Sequence, residues 1–354
     1  VGVRLNGAGG NSAEALIRRG RWADADDLLG RMDDRGITSC VFGPQAIRAL
    51  LCIRRGNLDQ GEAHLGHADE LSAGLDTVQV RGWCHLLRAE LALERGDPAA
   101  AYEEIEHALS VAAGTDDNTY RPEMLALGNR ALADEYEHAR ARGRRIDTDK
   151  YHRLAASFVE QAGTHVELYE EIAGRCPPRT SAFLATARAE ESRLHASDPD
   201  LWRAAAAAWD EATEPYFSAY SRWREAESAL AGRGGRGRAT EAAQVAWQTC
   251  VELGAVPLQQ RIERLAQRAR ISLTPAVPES THSPRHDIAE DLGLTAREVE
   301  VLAELARGRT DRQIADDLFI SKKTASVHVS NILRKLDAAN RIEAAEIGQR
   351  AGLD

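Results

Sequence analysis

SKKTASVHVSNILRKL, residues 321–336, is the stretch from which the rest of the chain can be read. Wound as an α-helix, it separates into two stripes. Ala325, His328, Val329, Ile332 and Leu336 recur at the i, i+3, i+4, i+7 spacing of a packed face. Lys323, Ser326, Val327, Ser330, Asn331 and Arg334 lie opposite, a surface of short polar groups, positive charge and one valine. Lys322, Lys323, Arg334 and Lys335 make the run basic with no acid inside it, although the whole chain carries a formal charge of -10. Three of the chain's four lysines fall here.

Working outward, three more helices are predicted in the last sixty residues. Thr295 with Glu298 forms a capping box, Val299, Leu302, Leu305 and Ala306 give the following helix a core face, and Gly308 ends it. Thr310 with Gln313 caps a second helix whose Ile314, Ala315 and Leu318 face inward. Phe319 and Ile320 make a short apolar turn, with Ser321 capping the basic run. Asn340 with Glu343 caps a fourth helix over 341–351, with Ile342 and Ala345 expected in the core. The domain assigned on this basis spans 291–354.

At these residues the chain resembles a known family. The string LTAREVEVLAELARGRTDRQIADDLFISKKTASVHVSNILRKLDAANRIEAAEIG looks like the LuxR-type helix-turn-helix domain, in its opening LTxRExEVL, its IAxxLxIS turn and its TxxxHVxxILRKL helix. The resemblance implies a double-stranded DNA partner, with 311–318 crossing the backbone and 322–336 in the major groove. Ser326, Val327 and Ser330, central on the exposed stripe, are then the base-reading candidates. Val327 has two readings: an aliphatic group that meets a thymine methyl, or a single tolerated surface valine. Lys322, Lys323, Thr324, Asn331, Arg334 and Lys335 become phosphate contacts, joined by the helix N-termini at Thr310 and Ser321. Many family members have Thr-Val-Lys where this chain has Thr324-Ala325-Ser326, so one charged contact is missing. In the family the fourth helix pairs two domains, and Ala344, Ile347, Gly348 and Ala351 form a small-residue stripe for a homodimer. A short, weakly packed terminal helix is the plainer reading. Activation and an RNA polymerase partner follow from the resemblance alone.

The long N-terminal part repeats. ALIRRGRWADADDLL from Ala15, LCIRRGNLDQGEAHL from Leu51 and LALERGDPAAAYEEI from Leu91 superpose without gaps. Each closes one helix on a glycine (Gly20, Gly56, Gly96) and starts another. The buried positions of the second helix repeat as Ala25, Gly61 and Ala101, then as Leu29, Leu65 and Ile105. Such spacing fits helical hairpins of the tetratricopeptide class, which stack because no unit can bury its apolar face alone. The fold class is therefore all-α: a TPR-like solenoid over 1–273, a proline-rich linker over 274–290, and the four-helix domain. The repeats resemble the helical solenoid that precedes the DNA-binding domain in the large ATP-binding LuxR-family regulators. The solenoid is expected to receive an effector or protein signal and to support oligomerisation. A loop rich in arginine and glycine, GRGGRGR from Gly232, is either a phosphate-contacting loop or a solvated turn, and the absence of aromatics favours the turn.

Other chemistries find no residues. No Gly-Lys pair exists for a phosphate-binding loop, so the NTPase of those large regulators is missing here. His64, His67, Cys84 and His85 match no zinc spacing, and pairs such as Glu103-Glu104 read as solvated helix faces. An enzyme, a metal and a cofactor are accordingly not expected. Five scattered cysteines suit reduced thiols, and no apolar run approaches a membrane span. A cytoplasmic regulator is expected. Two alternatives stay open: an interaction scaffold with weak DNA binding, and a fragment of a larger ATP-dependent regulator, since the chain begins at Val1.

Overall fold

Alanine, leucine, arginine and glutamate dominate the chain, and these residues lose little side-chain entropy in a helix. In the computed structural model every regular element among the described residues is helical. Those residues are 8–34, 42–74, 77–113, 120–232, 234–274, 292, 294–318, 322–336, 338–351 and 353. The chain divides into two compact units, Val1–Leu273 and Thr274–Asp354. The proposed linker, apart from its first residue, and the turn at Phe319, Ile320 and Ser321 lie outside the described residues.

The first unit holds α1 (Ala8–Arg18), α2 (Trp22–Asp33), α3 (Phe42–Arg55) and α4 (Leu58–Leu71). A single π-helical turn, Val78–Gly82, runs into α5 (Trp83–Glu94), followed by α6 (Pro98–Ala112), α7 (Arg121–Ala141), α8 (Thr148–Ala173) and α9 (Pro178–Ser192). Then come α10 (Pro199–Glu211), α11 (Pro215–Ala231), α12 (Arg236–Leu253) and α13 (Val256–Ala269).

One turn recurs through this unit. At Gly20, Gly56 and Gly96 the backbone enters the left-handed region, at φ +75°, +90° and +77°. There the glycine N–H reaches back to the carbonyl three residues earlier and the next N–H to the carbonyl five earlier, so two otherwise orphaned helix carbonyls are satisfied. The same pair of bonds joins α10 to α11 at Thr213 and α12 to α13 at Gly254. Five hairpins therefore share one short connection, and the same pair of bonds closes α7 at Gly143 ahead of a longer link to α8. The last two escape a search for Gly-based repeats, because a threonine stands at φ 57° in one and the α12–α13 helices carry a different apolar pattern.

Contacts in this unit are not confined to consecutive hairpins. A Cβ on Gly20 would sit 2.7 Å from Pro215 Cγ, and one on Gly56 3.1 Å from Pro257 Cγ, so these early turns press against the starts of α11 and α13. Arg54, 5% exposed, bonds Glu90 at 2.8 Å and lies 4.5 Å over the Tyr216 ring. Arg261 of α13 grips Glu94 of α5 with two bonds of 3.0 and 2.7 Å. Trp22, Trp202 and Trp209 are fully buried, Trp223 is 7% exposed and Trp247 is half-buried.

The arginine–glycine loop is shorter than its sequence suggests. From Arg236 onward it is the first turn of α12, and Gly235 is required there because a Cβ would fall 2.0 Å from the Ala229 carbonyl oxygen. Arg238 bonds Glu225 and Asp200 at 2.7 and 2.5 Å, and Arg236 donates to the Arg270 carbonyl. Both side chains are held by their own unit, which removes the support for a phosphate-contacting loop.

The second unit consists of α14 (Ala296–Ala306), α15 (Asp311–Asp317), α16 (Lys322–Lys335) and α17 (Arg341–Arg350). Val299, Leu302 and Leu305 of α14, Ile314 and Ala315 of α15, Ala325, Val329 and Ile332 of α16 and Ala344 of α17 form one core. Full burial of a side chain such as Ile332 is worth roughly 1.5–3 kcal/mol. Capping boxes at Thr295 and Thr310 begin α14 and α15, both halves of each box being made. At α17 the cap is partial. Asn340 accepts from Ile342 and Glu343, but the Glu343 carboxylate accepts from Ala339 rather than Asn340.

Candidate nucleic-acid interface

The core just described fixes which way α16 faces. Burial of Ala325, Val329 and Ile332 turns Ser326, Val327, Ser330 and Arg334 outward, and all four are exposed. Val327 is 52% exposed, a large apolar side chain on the outward face. Ser330 donates its hydroxyl proton to the Ser326 carbonyl at 3.0 Å, leaving its lone pairs free to accept. Lys322 stands exposed at the N-terminal end and Arg334 at the other, with no ion pair to either among the described residues. Asn331 is half-buried. Lys323 and Thr324 are backbone members of α16 whose side chains lie outside the described residues, as does Ser321 altogether.

Two expected phosphate contacts have other work. Lys335 Nζ lies 2.6 Å from Glu298 Oε2, tying the end of α16 to the start of α14. The same oxygen accepts from the Thr295 N–H and hydroxyl at 2.8 and 2.9 Å, so one carboxylate closes a helix cap and anchors a neighbouring helix. Burial would raise the Glu298 carboxyl, but hydrogen bonds from Lys335 and Thr295 reverse this and hold it below the usual carboxylate range. Thr310 commits both its N–H and its hydroxyl to Gln313, at 2.9 and 3.0 Å. A basic side chain not singled out from the sequence, Arg312, is exposed in the first turn of α15. Its position two residues before buried Ile314 was the available signal.

The fourth helix is turned the opposite way from the expectation. Ile342, assigned to the core, is 69% exposed, whereas Ala344 is fully buried and Gly348 is buried. A Cβ on Gly348 would stand 3.2 Å from Leu302 Cγ and 3.3 Å from Ala306 Cβ. The small residues of the stripe thus let α17 approach α14 within one domain, and Ile347 and Ala351 are half-buried on that side. Ala344 and Gly348 have no surface to offer a second copy. Ala345 is half-buried, and the outward face is Ile342 and Glu346, with Gln349 donating to the Ala306 carbonyl at its edge.

Comparison with known proteins converges on this unit. Residues 292–347 match the family described as bacterial regulatory proteins, luxR family. The chain is 54% identical over 52 residues to an uncharacterized transcriptional regulatory protein, YhcZ, of Bacillus subtilis, a match covering 15% of this chain and 24% of YhcZ. It is 46% identical over 57 residues to the B. subtilis transcriptional regulatory protein LiaR, covering 16% and 27% of the two chains. A third match, to the nitrate/nitrite response regulator protein NarP of Escherichia coli, is 51% identical over 51 residues, 14% of this chain and 24% of NarP. The chain thus spans about a quarter of the length of these relatives. No solved structure matches it.

Proposed function

We propose, from the premise that residues 292–347 are a luxR-family regulatory domain, that the chain is a cytoplasmic, sequence-specific transcriptional regulator that binds double-stranded DNA. The observation that carries the reading is the division of α16, one face buried in its domain and the other exposing Ser326, Val327, Ser330, Lys322 and Arg334. In this reading α16 enters the major groove and α15 lies across the backbone. Ser326, Val327 and Ser330 read base edges. Lys322, Lys323, Thr324, Asn331, Arg334 and, newly, Arg312 hold phosphates and set the register.

The regulator acts as a homodimer joined through the Ile342 and Glu346 face of α17, since the isoleucine is a large apolar side chain left 69% exposed. Activation through RNA polymerase, and a sensing role for the hairpin unit, complete the reading. The test is a titration of labelled DNA at two salt concentrations with a selected and a scrambled site. A regulator loses affinity steeply with salt yet keeps a preference for its site. Equal affinity for both sequences at each salt concentration would reject it.

A further inference from the structure

We infer that the α5–α6 hairpin carries a binding site for a borderline divalent transition metal, zinc, nickel or cobalt, formed by His85, Glu104 and His107. One ligand atom from each of the three lies within 4.8 Å of the others. Glu104 and His107 are spaced i, i+3 on α6 and so project from one side of it, while His85 comes from the facing helix α5. His85 Nδ1 already lies 2.7 Å from Glu104 Oε2, and the two imidazole centroids are 5.5 Å apart.

The donor set suits such an ion. Two neutral imidazoles and one carboxylate are what zinc takes in sites with three protein ligands, leaving an open position for water. His107 makes no hydrogen bond among the described residues, so no existing bond must break for it to turn inward. The side-chain rotations needed are small. Metal–ligand distances near 2.0–2.2 Å bring donor atoms to roughly 3.3 Å apart, against the present limit of 4.8 Å. Arg88, the nearest cation on α5, is neutralised by its ion pair with Asp69.

The neighbouring thiol and histidines do not compete. Cys84 is buried at 2% exposure and is not among the residues whose donor atoms converge. His64 is engaged by Gln45 and His67 by Glu70, so the four residues that are close in sequence do not converge. Convergence needs the antiparallel return of α6, which places residues 19 and 22 positions further on beside His85. A groove of about 340 Å³, lined in part by His85 and Asp69, opens beside the site and gives solvent access.

The experiment is calorimetric titration of the chelator-treated full chain with zinc, and of the same chain with cobalt followed by its ligand-field absorption. One equivalent of each metal is expected, with nitrogen and oxygen ligation in the cobalt spectrum. His107→Ala, at an exposed position, should keep the helical circular dichroism of the parent while weakening zinc at least ~100-fold. Glu104→Gln keeps a hydrogen-bond partner for His85 but removes the charge, and should weaken zinc by a similar factor. Parent affinity in folded His107→Ala, or no binding by the parent chain, would overturn the assignment. Should His85→Ala fail to fold, His107→Ala and Glu104→Gln still decide it.

Discussion

Val327 has no folding role in the described structure, because the helix that bears it buries the opposite side. If it reads a thymine methyl, Val327→Ala should cost about 1 kcal/mol at the preferred site and almost nothing on random DNA, measured by fluorescence anisotropy. Equal losses on both would make it a plain surface residue. Lys335 and Arg334, adjacent in sequence and alike in charge, should behave differently. Arg334→Ala should flatten the dependence of log affinity on log salt by about one unit, as loss of one phosphate contact does. Lys335→Ala should leave the salt slope alone and destabilise the domain by about 1–2 kcal/mol, because its charge belongs to Glu298. The pH dependence has a definite sign. The Glu298 carboxyl is held below its ordinary value of about 4.3. Its contribution is therefore complete above that value and is lost as pH falls through the lowered one. Urea melts of the parent and Lys335→Ala at neutral and acid pH should converge on acidification.

At the scale of elements, the connection between helices is the informative feature. Four of the five shared turns place glycine in the left-handed region, while Thr213 holds φ 57° there with a branched Cβ. That conformation costs a non-glycine residue about 1–2 kcal/mol, of which the backbone entropy of glycine returns part. Thr213→Gly should therefore stabilise the hairpin unit by about 0.5–1 kcal/mol in chemical denaturation. An unchanged midpoint would show that the threonine side chain has compensating contacts. The other instructive element is α17, where small residues serve close packing on α14 and a large one faces out. Ile342→Glu should leave the domain folded, shift the sedimentation of the protein toward monomer, and reduce affinity for a two-half-site operator more than for a single half-site.

At the scale of the whole molecule, the two units stand on different physics. The C-terminal unit is a small apolar core closed by caps. The hairpin unit adds a network of charges centred on buried Arg193, 6% exposed, and reaching out to exposed Glu137. Its guanidinium meets Asp134 at 2.5 Å, Glu137 at 2.7 Å and Glu190 at 2.6 Å, while Tyr220 donates to the second Glu190 oxygen at 2.6 Å. Burial would raise the Asp134 carboxyl, yet Arg193, Arg224 and Arg130 force it far below the usual range. Arg193→Met would leave Glu190, fully buried, without its cation. A loss of about 3–5 kcal/mol is expected for such a broken buried pair. With two separate cores, only the transition of the hairpin unit should move in a denaturation curve, and a shift of both would show that they unfold together. Charge is likewise divided. From Thr295 onward ten basic and ten acidic residues balance, so the net acidity lies earlier in the chain.

The all-α class, the four helices of the C-terminal unit, three of the repeated turns and the two-faced character of residues 322–336 were all legible in the sequence. Each depends on short-range rules: a 3.6-residue period, a cap three residues from its partner, a glycine where φ must be positive. Tertiary structure alone decided the rest. Whether Lys335 meets a phosphate or Glu298 depends on a residue 37 positions away. Whether Gly348 or Ile342 faces the core depends on how closely α17 approaches Leu302 and Ala306. The meeting of His85 with Glu104 and His107 depends on the antiparallel return of a hairpin. Local patterns say which side of a helix can be buried; only the packed neighbours determine which side is, because a small-residue stripe and a lone isoleucine both satisfy the pattern until a second helix comes close enough to exclude one of them.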